Sequence, residues 1–129
     1  MHEKRVEIRC RDIDAYGHVN NAVYATYLEE CRDEWLEGVL GRDGELWDFV
    51  LARVAIDFRR ELRQEDDIVL ARCRLARIGT SSVTTREEIL TAAGELSAEA
   101  EAVLVARDQA TGKSRPLTDA ERTALERAT

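Results

Sequence analysis

The sequence predicts an α+β domain in which an antiparallel sheet wraps around one long helix. Apolar residues recur every three or four positions over Ala22–Leu40, which is typical of a helix with one buried face. From residue 50 onward the apolar pattern changes to a period of two, and short turns separate successive segments. Short connections favour antiparallel neighbours, so a two-layer arrangement of one helix and one sheet is the simplest solution.

The first elements are a short strand and the long helix. Val6, Ile8 and Cys10 alternate with charged residues, which predicts a half-buried strand. The helix that follows can be capped by the Asn20 or Asn21 side chain and can end at Gly41. Its apolar stripe consists of Tyr24, Leu28, Cys31, Trp35 and Val39.

The remaining elements are four longer strands and a terminal helix. A loop is predicted around residues 42–44, and a polar break interrupts the strand pattern at residues 63–67. Tight turns are predicted at Gly79-Thr80 and Ala93-Gly94. The predicted strands cover 50–58, 68–78, 81–90 and 95–107, and a short amphipathic helix covers 118–128 after the sole proline, Pro116.

Composition limits the classes of function. The 129 residues are 44% hydrophobic and 35% charged, which predicts one folded domain over 1–129. Nineteen basic against 26 acidic residues give a net charge of −7, which disfavours nucleic acid and anionic membranes as partners. There is no apolar signal segment or membrane-spanning run, and the three cysteines lie far apart. We therefore expect a cytoplasmic protein with three buried thiols.

The stretch from Asp12 to Asn21 holds the densest group of reactive side chains. It contains two carboxylates, a histidine, a glycine and two amide side chains directly before the long helix. A carboxylate beside the N–H donors of a helix start can attack a carbonyl or activate water while the donors stabilise negative charge. Asp12, Asp14 and His18 are possible metal ligands, but no further His or Cys supports a metal site. There is no G-x-S-x-G motif for a serine hydrolase.

The order of elements and this loop together resemble the hotdog fold. The segment Arg11-Asp12-Ile13-Asp14-Ala15-Tyr16-Gly17-His18-Val19-Asn20-Asn21-Ala22-Val23-Tyr24 resembles the 4-hydroxybenzoyl-CoA thioesterase-like family. A second, weaker similarity is the turn Ala76-Arg77-Ile78-Gly79-Thr80-Ser81-Ser82. The resemblance implies an acyl-CoA thioesterase that uses no cofactor and no metal, with coenzyme A entering only as part of the substrate.

The resemblance also implies roles for individual residues. Asp14 matches the catalytic carboxylate, as nucleophile or general base, and Asn21 matches the backbone amide that polarises the thioester carbonyl. His18 falls on a catalytic histidine of related acyl-carrier-protein thioesterases, which have asparagine in place of Tyr16. Tyr16 and Gly17 are expected to contact the substrate, while Asp12 is expected to bond loop amides.

Coenzyme A carries phosphate groups that arginines or lysines must meet. Arg77 and Ser81 are the predicted nucleotide contacts, and Arg59, Arg60 and Arg63 are further candidates.

Several predicted strands carry apolar residues on both faces, for example Ile68 and Leu70 against Val69 and Ala71. One helix covers only one face, so we expect a homodimer or homotetramer with active sites between subunits. Two other functions stay open: hydrolysis of acyl-carrier-protein thioesters, and acyl-CoA binding without turnover. Dehydratase chemistry on this fold is disfavoured by the surroundings of His18.

Overall fold

A computed structural model describes residues 1–41 and 48–128 of the chain. Its five strands form one antiparallel sheet in the order β1-β3-β4-β5-β2. The helices and strands are β1 (His2–Glu7), α1 (Asn21–Leu40), β2 (Phe49–Phe58), β3 (Ile68–Ile78), β4 (Ser82–Thr91), β5 (Leu96–Ala106) and α2 (Asp119–Arg127). The predicted arrangement of one long helix against a five-stranded antiparallel sheet is confirmed; the loop predicted at 42–44 lies outside the described residues.

The ends of α1 follow the predicted capping residues. The Asn20 side chain accepts a hydrogen bond of 2.9 Å from the Ala22 amide, so Asn20 is the N-cap and the helix begins at Asn21. Gly41 ends the helix with a φ of 69°, a left-handed conformation that glycine adopts without strain.

The first strand differs from its prediction. It ends at Glu7, which lies opposite Ile68, the first residue of β3. Beyond this pair the Ile8 amide donates to the Asp67 carbonyl oxygen at 2.8 Å, but Asp67 has a φ of 60° and leaves the extended conformation. Cys10 lies in a single turn of 3-10 helix and is exposed, so its placement in a strand and its predicted burial are both wrong. Alternation alone could not show where the neighbouring strand ends.

The helix is too narrow to cover the inner face of the sheet. A helix is about 10–12 Å wide, whereas five strands about 4.8 Å apart span roughly 19 Å. Accordingly, α1 packs mainly against β1, β3 and β4. On β2 the apolar side chains of Leu51, Val54 and Phe58 remain exposed on the helix side.

The outer face of the sheet is charged at its centre. Arg72 Nε lies 2.6 Å from Glu3, Arg86 Nη2 lies 3.1 Å from Glu101, and Arg59 Nη2 lies 2.7 Å from Glu99. The prediction of two apolar sheet faces therefore holds only at the ends of the strands and not at the centre of the outer face. The apolar residues Ile68 and Leu70 lie only at one end of the outer face and are partly buried there.

A buried ion pair joins α1 to β4. Arg32 donates two hydrogen bonds of 2.8 Å to the two carboxylate oxygens of Glu87, and both side chains are almost fully buried. The Thr85 hydroxyl donates a third bond of 2.7 Å to Glu87. Burial alone would lower the pKa of Arg32, but the hydrogen bonds and charge of Glu87 raise it overall. The apolar stripe predicted for α1 does not include Arg32, although its side chain faces the sheet.

We predict that Glu87→Ala lowers the free energy of unfolding by about 3–5 kcal/mol, because it leaves the Arg32 guanidinium buried without its partner. The matched control is Glu101→Ala, which removes exposed ion pairs and should cost less than about 1 kcal/mol. Urea denaturation at one fixed protein concentration measures both. A Glu87→Ala variant as stable as the control would contradict this account of the core.

The cysteines differ in accessibility. Cys31 and Cys73 are buried, and Cys10 is exposed. Burial is the main cause that raises the pKa of Cys31 to about 12 and raises that of Cys73 as well. Both buried thiols are therefore shielded and protonated at neutral pH.

We predict that one thiol per native chain reacts rapidly with a thiol-specific reagent, since the thiolate is the reactive form. All three should react in denaturant, and Cys10→Ser should abolish the rapid phase. Reagent titration with absorbance detection measures the count; rapid modification of the native Cys10→Ser protein would disprove the assignment.

Candidate functional site

Asp12 holds the loop of residues 12–20, here called the motif loop, against α1. Its buried carboxylate accepts hydrogen bonds from the Arg9 amide at 3.0 Å and from the Tyr27 hydroxyl at 2.6 Å, and its carbonyl oxygen accepts from the Asn20 amide at 3.0 Å. Burial and then the hydrogen bond to Asp12 raise the pKa of Tyr27. The expected role of Asp12, bonding loop amides, agrees with these contacts.

Backbone hydrogen bonds join residues within the motif loop and also join this loop to the segment after β2. The amides of Asp14 and Gly17 donate to the carbonyl oxygens of His18 and Asp14, each at 3.0 Å. Gly17 has a φ of 84°, which a residue with a side chain rarely adopts. The Val19 amide donates to the Leu62 carbonyl oxygen at 2.7 Å, which places residues 58–63 beside the loop.

The Asp14 carboxylate is oriented by its neighbours on both oxygens. Oδ1 accepts a hydrogen bond of 2.9 Å from the Tyr16 amide, and Oδ2 accepts one of 3.3 Å from Asn20 Nδ2. The same Asn20 side chain caps α1 through its oxygen. One amide group therefore links the predicted catalytic carboxylate to the first turn of the helix.

His18 lies between two carboxylates. Its Nδ1 is 3.8 Å from Asp14 Oδ1, and its Nε2 is 3.9 Å from Glu61 Oε2. Its ring stacks on exposed Tyr16 with a centroid distance of 6.0 Å. Sequence reasoning missed Glu61, because only the contact between Val19 and Leu62 places it near the loop.

A small open cavity of about 210 Å³ adjoins the loop. It is lined by His18, Val19, Asn21, Tyr24, Phe58, Arg59, Arg60 and Glu61. Asp14 does not line it but contacts His18, which does. The backbone amide of Asn21 has no acceptor among residues 1–41 and 48–128, as expected at the first position of a helix.

The arginines beside this cavity are paired with acids. Arg60 contacts Asp66 at 3.3 Å and Glu95 at 3.1 Å, and Arg63 forms an ion pair with Glu61. The hydrogen bond to Asp66 is the main cause that raises the pKa of Arg60. A phosphate group that binds here must therefore compete with carboxylates for the guanidinium groups.

Arg77 and Ser81 lie at the other end of the sheet. The motif loop adjoins the Ile68 end of β3, and Arg77 is nine residues further along that strand, which corresponds to about 30 Å. Arg77 Nη2 donates to Thr84 Oγ1 at 3.4 Å, and Ser81 lies in the turn that follows. The structure does not bring either residue together with Asp14 within one chain, and their contact with substrate stays a prediction.

The assembled groups suit addition of a nucleophile to a carbonyl. The free Asn21 amide can bind a developing oxyanion, and the helix dipole adds a partial positive charge there. His18 and Asp14 supply a base. Within the described residues, no cluster of three or more His, Cys, Asp or Glu side chains is arranged to bind a metal ion. None of the described helices combines the length and apolarity needed to span a membrane.

The fold and the site together define a hotdog-fold hydrolase of thioesters. Residues 8–125 match the thioesterase-like superfamily, and the chain belongs to that superfamily. The predicted fold and the predicted thioesterase family are thereby confirmed.

Three relatives illustrate the match. The chain is 28% identical to the long-chain acyl-CoA thioesterase FadM of Escherichia coli strain K12 over 87% of each chain. It is 33% identical to the chloroplastic acyl-acyl carrier protein thioesterase ATL3 of Arabidopsis thaliana over 54% of this chain, but it spans only 39% of that protein. A thioesterase of Thermus thermophilus, crystallised with coenzyme A and zinc, superposes with a TM-score of 0.89 at 31% identity, over 98% of this chain and 92% of that one.

Proposed function

We propose that this protein hydrolyses an acyl-CoA thioester to the free acid and coenzyme A. The observation that carries the proposal is the unpaired Asn21 amide beside the His18–Asp14 pair at one small cavity. The similarity to FadM over most of both chains and the coenzyme A bound to the Thermus relative favour this substrate class.

The mechanism we propose uses His18 as general base. The thioester oxygen accepts the Asn21 N–H, and His18 Nε2 takes a proton from a water that attacks the carbonyl carbon. The C–S bond then breaks, and the coenzyme A thiolate takes the proton from His18. His18 Nδ1 lies 3.5 Å from the Val19 carbonyl oxygen and 3.8 Å from Asp14 Oδ1, so the carbonyl orients the ring and the charge of Asp14 stabilises its protonated form. Direct attack by Asp14 is the less favoured route, because its oxygens are held in turn contacts and do not line the cavity.

We predict that Asp14→Asn lowers kcat by about 10²–10⁴-fold, because the general base His18 loses the carboxylate that stabilises its protonated form. Free thiol released from a panel of acyl-CoAs measures the rate. The matched control is Asp108→Asn, because Asp108 Oδ1 accepts the amide two residues later at 2.8 Å, as Asp14 Oδ1 does at 2.9 Å. Asparagine preserves both turns, so equal activity in both variants would show that Asp14 has no catalytic role.

Acyl-carrier-protein thioesters are a second candidate substrate, favoured by the similarity to the Arabidopsis enzyme. Carrier proteins are acidic, and the net charge of −7 opposes their approach. The arginines beside the cavity already pair with carboxylates. Rates on coenzyme A and carrier-protein esters of the same acyl group separate the two substrates.

We propose a homodimer formed through the helix side of β2. This strand is long, lies at the sheet edge and exposes Leu51, Val54 and Phe58. Such an edge is a template for pairing with another strand. The other edge, β1, is short and carries charged side chains. Because Phe58 also lines the cavity, this interface would complete the site.

We predict that the double variant Leu51→Lys/Val54→Lys is monomeric, because two cations would have to be buried without partners. Analytical ultracentrifugation measures the mass. Val50→Lys, on the outer face of the same strand and similarly exposed, should stay dimeric. If Val50→Lys dissociates the protein and the double variant does not, the sheets pack through their outer faces instead.

The buried free thiols of Cys31 and Cys73 fit a reducing compartment, so we propose that the enzyme acts in the cytoplasm.

A further inference from the structure

Two aromatic rings form one wall of the cavity. Tyr24 on α1 and Phe58 at the end of β2 meet edge to face, with centroids 5.0 Å apart and an interplanar angle of 85°. Phe58 is opposite Ala98 in the ladder, so the contact crosses the gap between α1 and β2 above a small side chain of β5. Both rings line the cavity.

One side of this wall is held firmly. Tyr24 is only 2% exposed, and its hydroxyl lies 3.4 Å from both the Arg60 carbonyl oxygen and Ser97 Oγ. Phe58 is 44% exposed and packs against Tyr24 without such anchoring. The position of the wall therefore depends on the size of the residue at 58.

A second cavity of about 310 Å³ lies beyond these rings, between α1 and β2. Its lining is mixed: Leu36, Phe49, Leu51 and Leu104 are apolar, and Glu29, Arg32, Asp33 and Arg107 are charged. Glu29 is eight residues after Asn21, about 12 Å along the helix axis. The Phe58 ring therefore lies between the small cavity beside the motif loop and this larger space, and a smaller side chain at position 58 would connect the two.

We infer that Phe58 ends the acyl pocket, so that the substrates carry short or compact acyl groups such as a butanoyl or a single-ring aromatic acyl. The inference rests on the proposed thioesterase activity. A volume of about 210 Å³ equals roughly seven water molecules at liquid density and lies below the range of about 300–1,000 Å³ common for larger ligands. The related E. coli enzyme is a long-chain acyl-CoA thioesterase, so the two would differ in substrate class.

The test compares kcat/KM for butanoyl-, benzoyl-, dodecanoyl- and hexadecanoyl-CoA. The parent should favour the first two, and Phe58→Ala should raise the ratio of dodecanoyl to butanoyl kcat/KM at least about tenfold. Phe58→Trp should lower the same ratio. Val50→Ala removes apolar surface from the opposite face of the same strand and should leave the ratio unchanged.

The outcomes separate this inference from the proposed function. A parent that prefers hexadecanoyl-CoA, or a ratio that neither Phe58 variant moves, overturns the role of Phe58 and leaves the thioesterase standing. Hydrolysis of no acyl-CoA at all refutes the proposed function and this inference with it. Thermal unfolding of each variant confirms that a changed ratio does not come from a misfolded protein.

Discussion

The width of a single helix determines most of this structure. Since α1 packs mainly against β1, β3 and β4, the far side of the inner face is covered unevenly. On β5 the small residues Ala98, Ala100 and Ala102 are buried, whereas the larger apolar residues of β2 stay exposed. Both the cavity at the start of α1 and the exposed apolar surface of the edge strand β2 follow from this incomplete cover.

The chemistry depends on a loop that is fixed before any substrate arrives. Asp12 ties it to the side of α1, Val19 ties it to Leu62, and Asn20 joins the helix cap to the Asp14 carboxylate. These bonds leave the Asn21 amide as the free donor at the cavity. A preformed donor costs no reorganisation when negative charge develops, which is why such groups contribute strongly to acyl transfer.

Features set by local sequence could be predicted, and features set by register between distant segments could not. The N-cap at Asn20, the stop at Gly41 and the strand periods follow from neighbouring residues. Glu61 beside His18, Phe58 against Tyr24 and the inward Arg32–Glu87 pair require the alignment of strands and helix. The predicted burial of Cys10 is wrong for the same reason, because the residue at which β1 ends depends on where β3 begins.

The predicted coenzyme A contacts, Arg77 and Ser81, lie at the end of the sheet away from the motif loop. A two-fold axis that pairs β2 with its copy in an antiparallel manner places the Phe49 end of one strand beside the Phe58 end of the other. In the proposed dimer, the Arg77 and Ser81 end of one subunit would therefore lie on the same side as the cavity of the other. A coenzyme A moiety that extends from that cavity would then approach Arg77 of the other subunit, which lies about 30 Å along β3 from the Ile68 end. In the proposed dimer, the predicted nucleotide contacts and the Asp14 carboxylate would belong to different subunits.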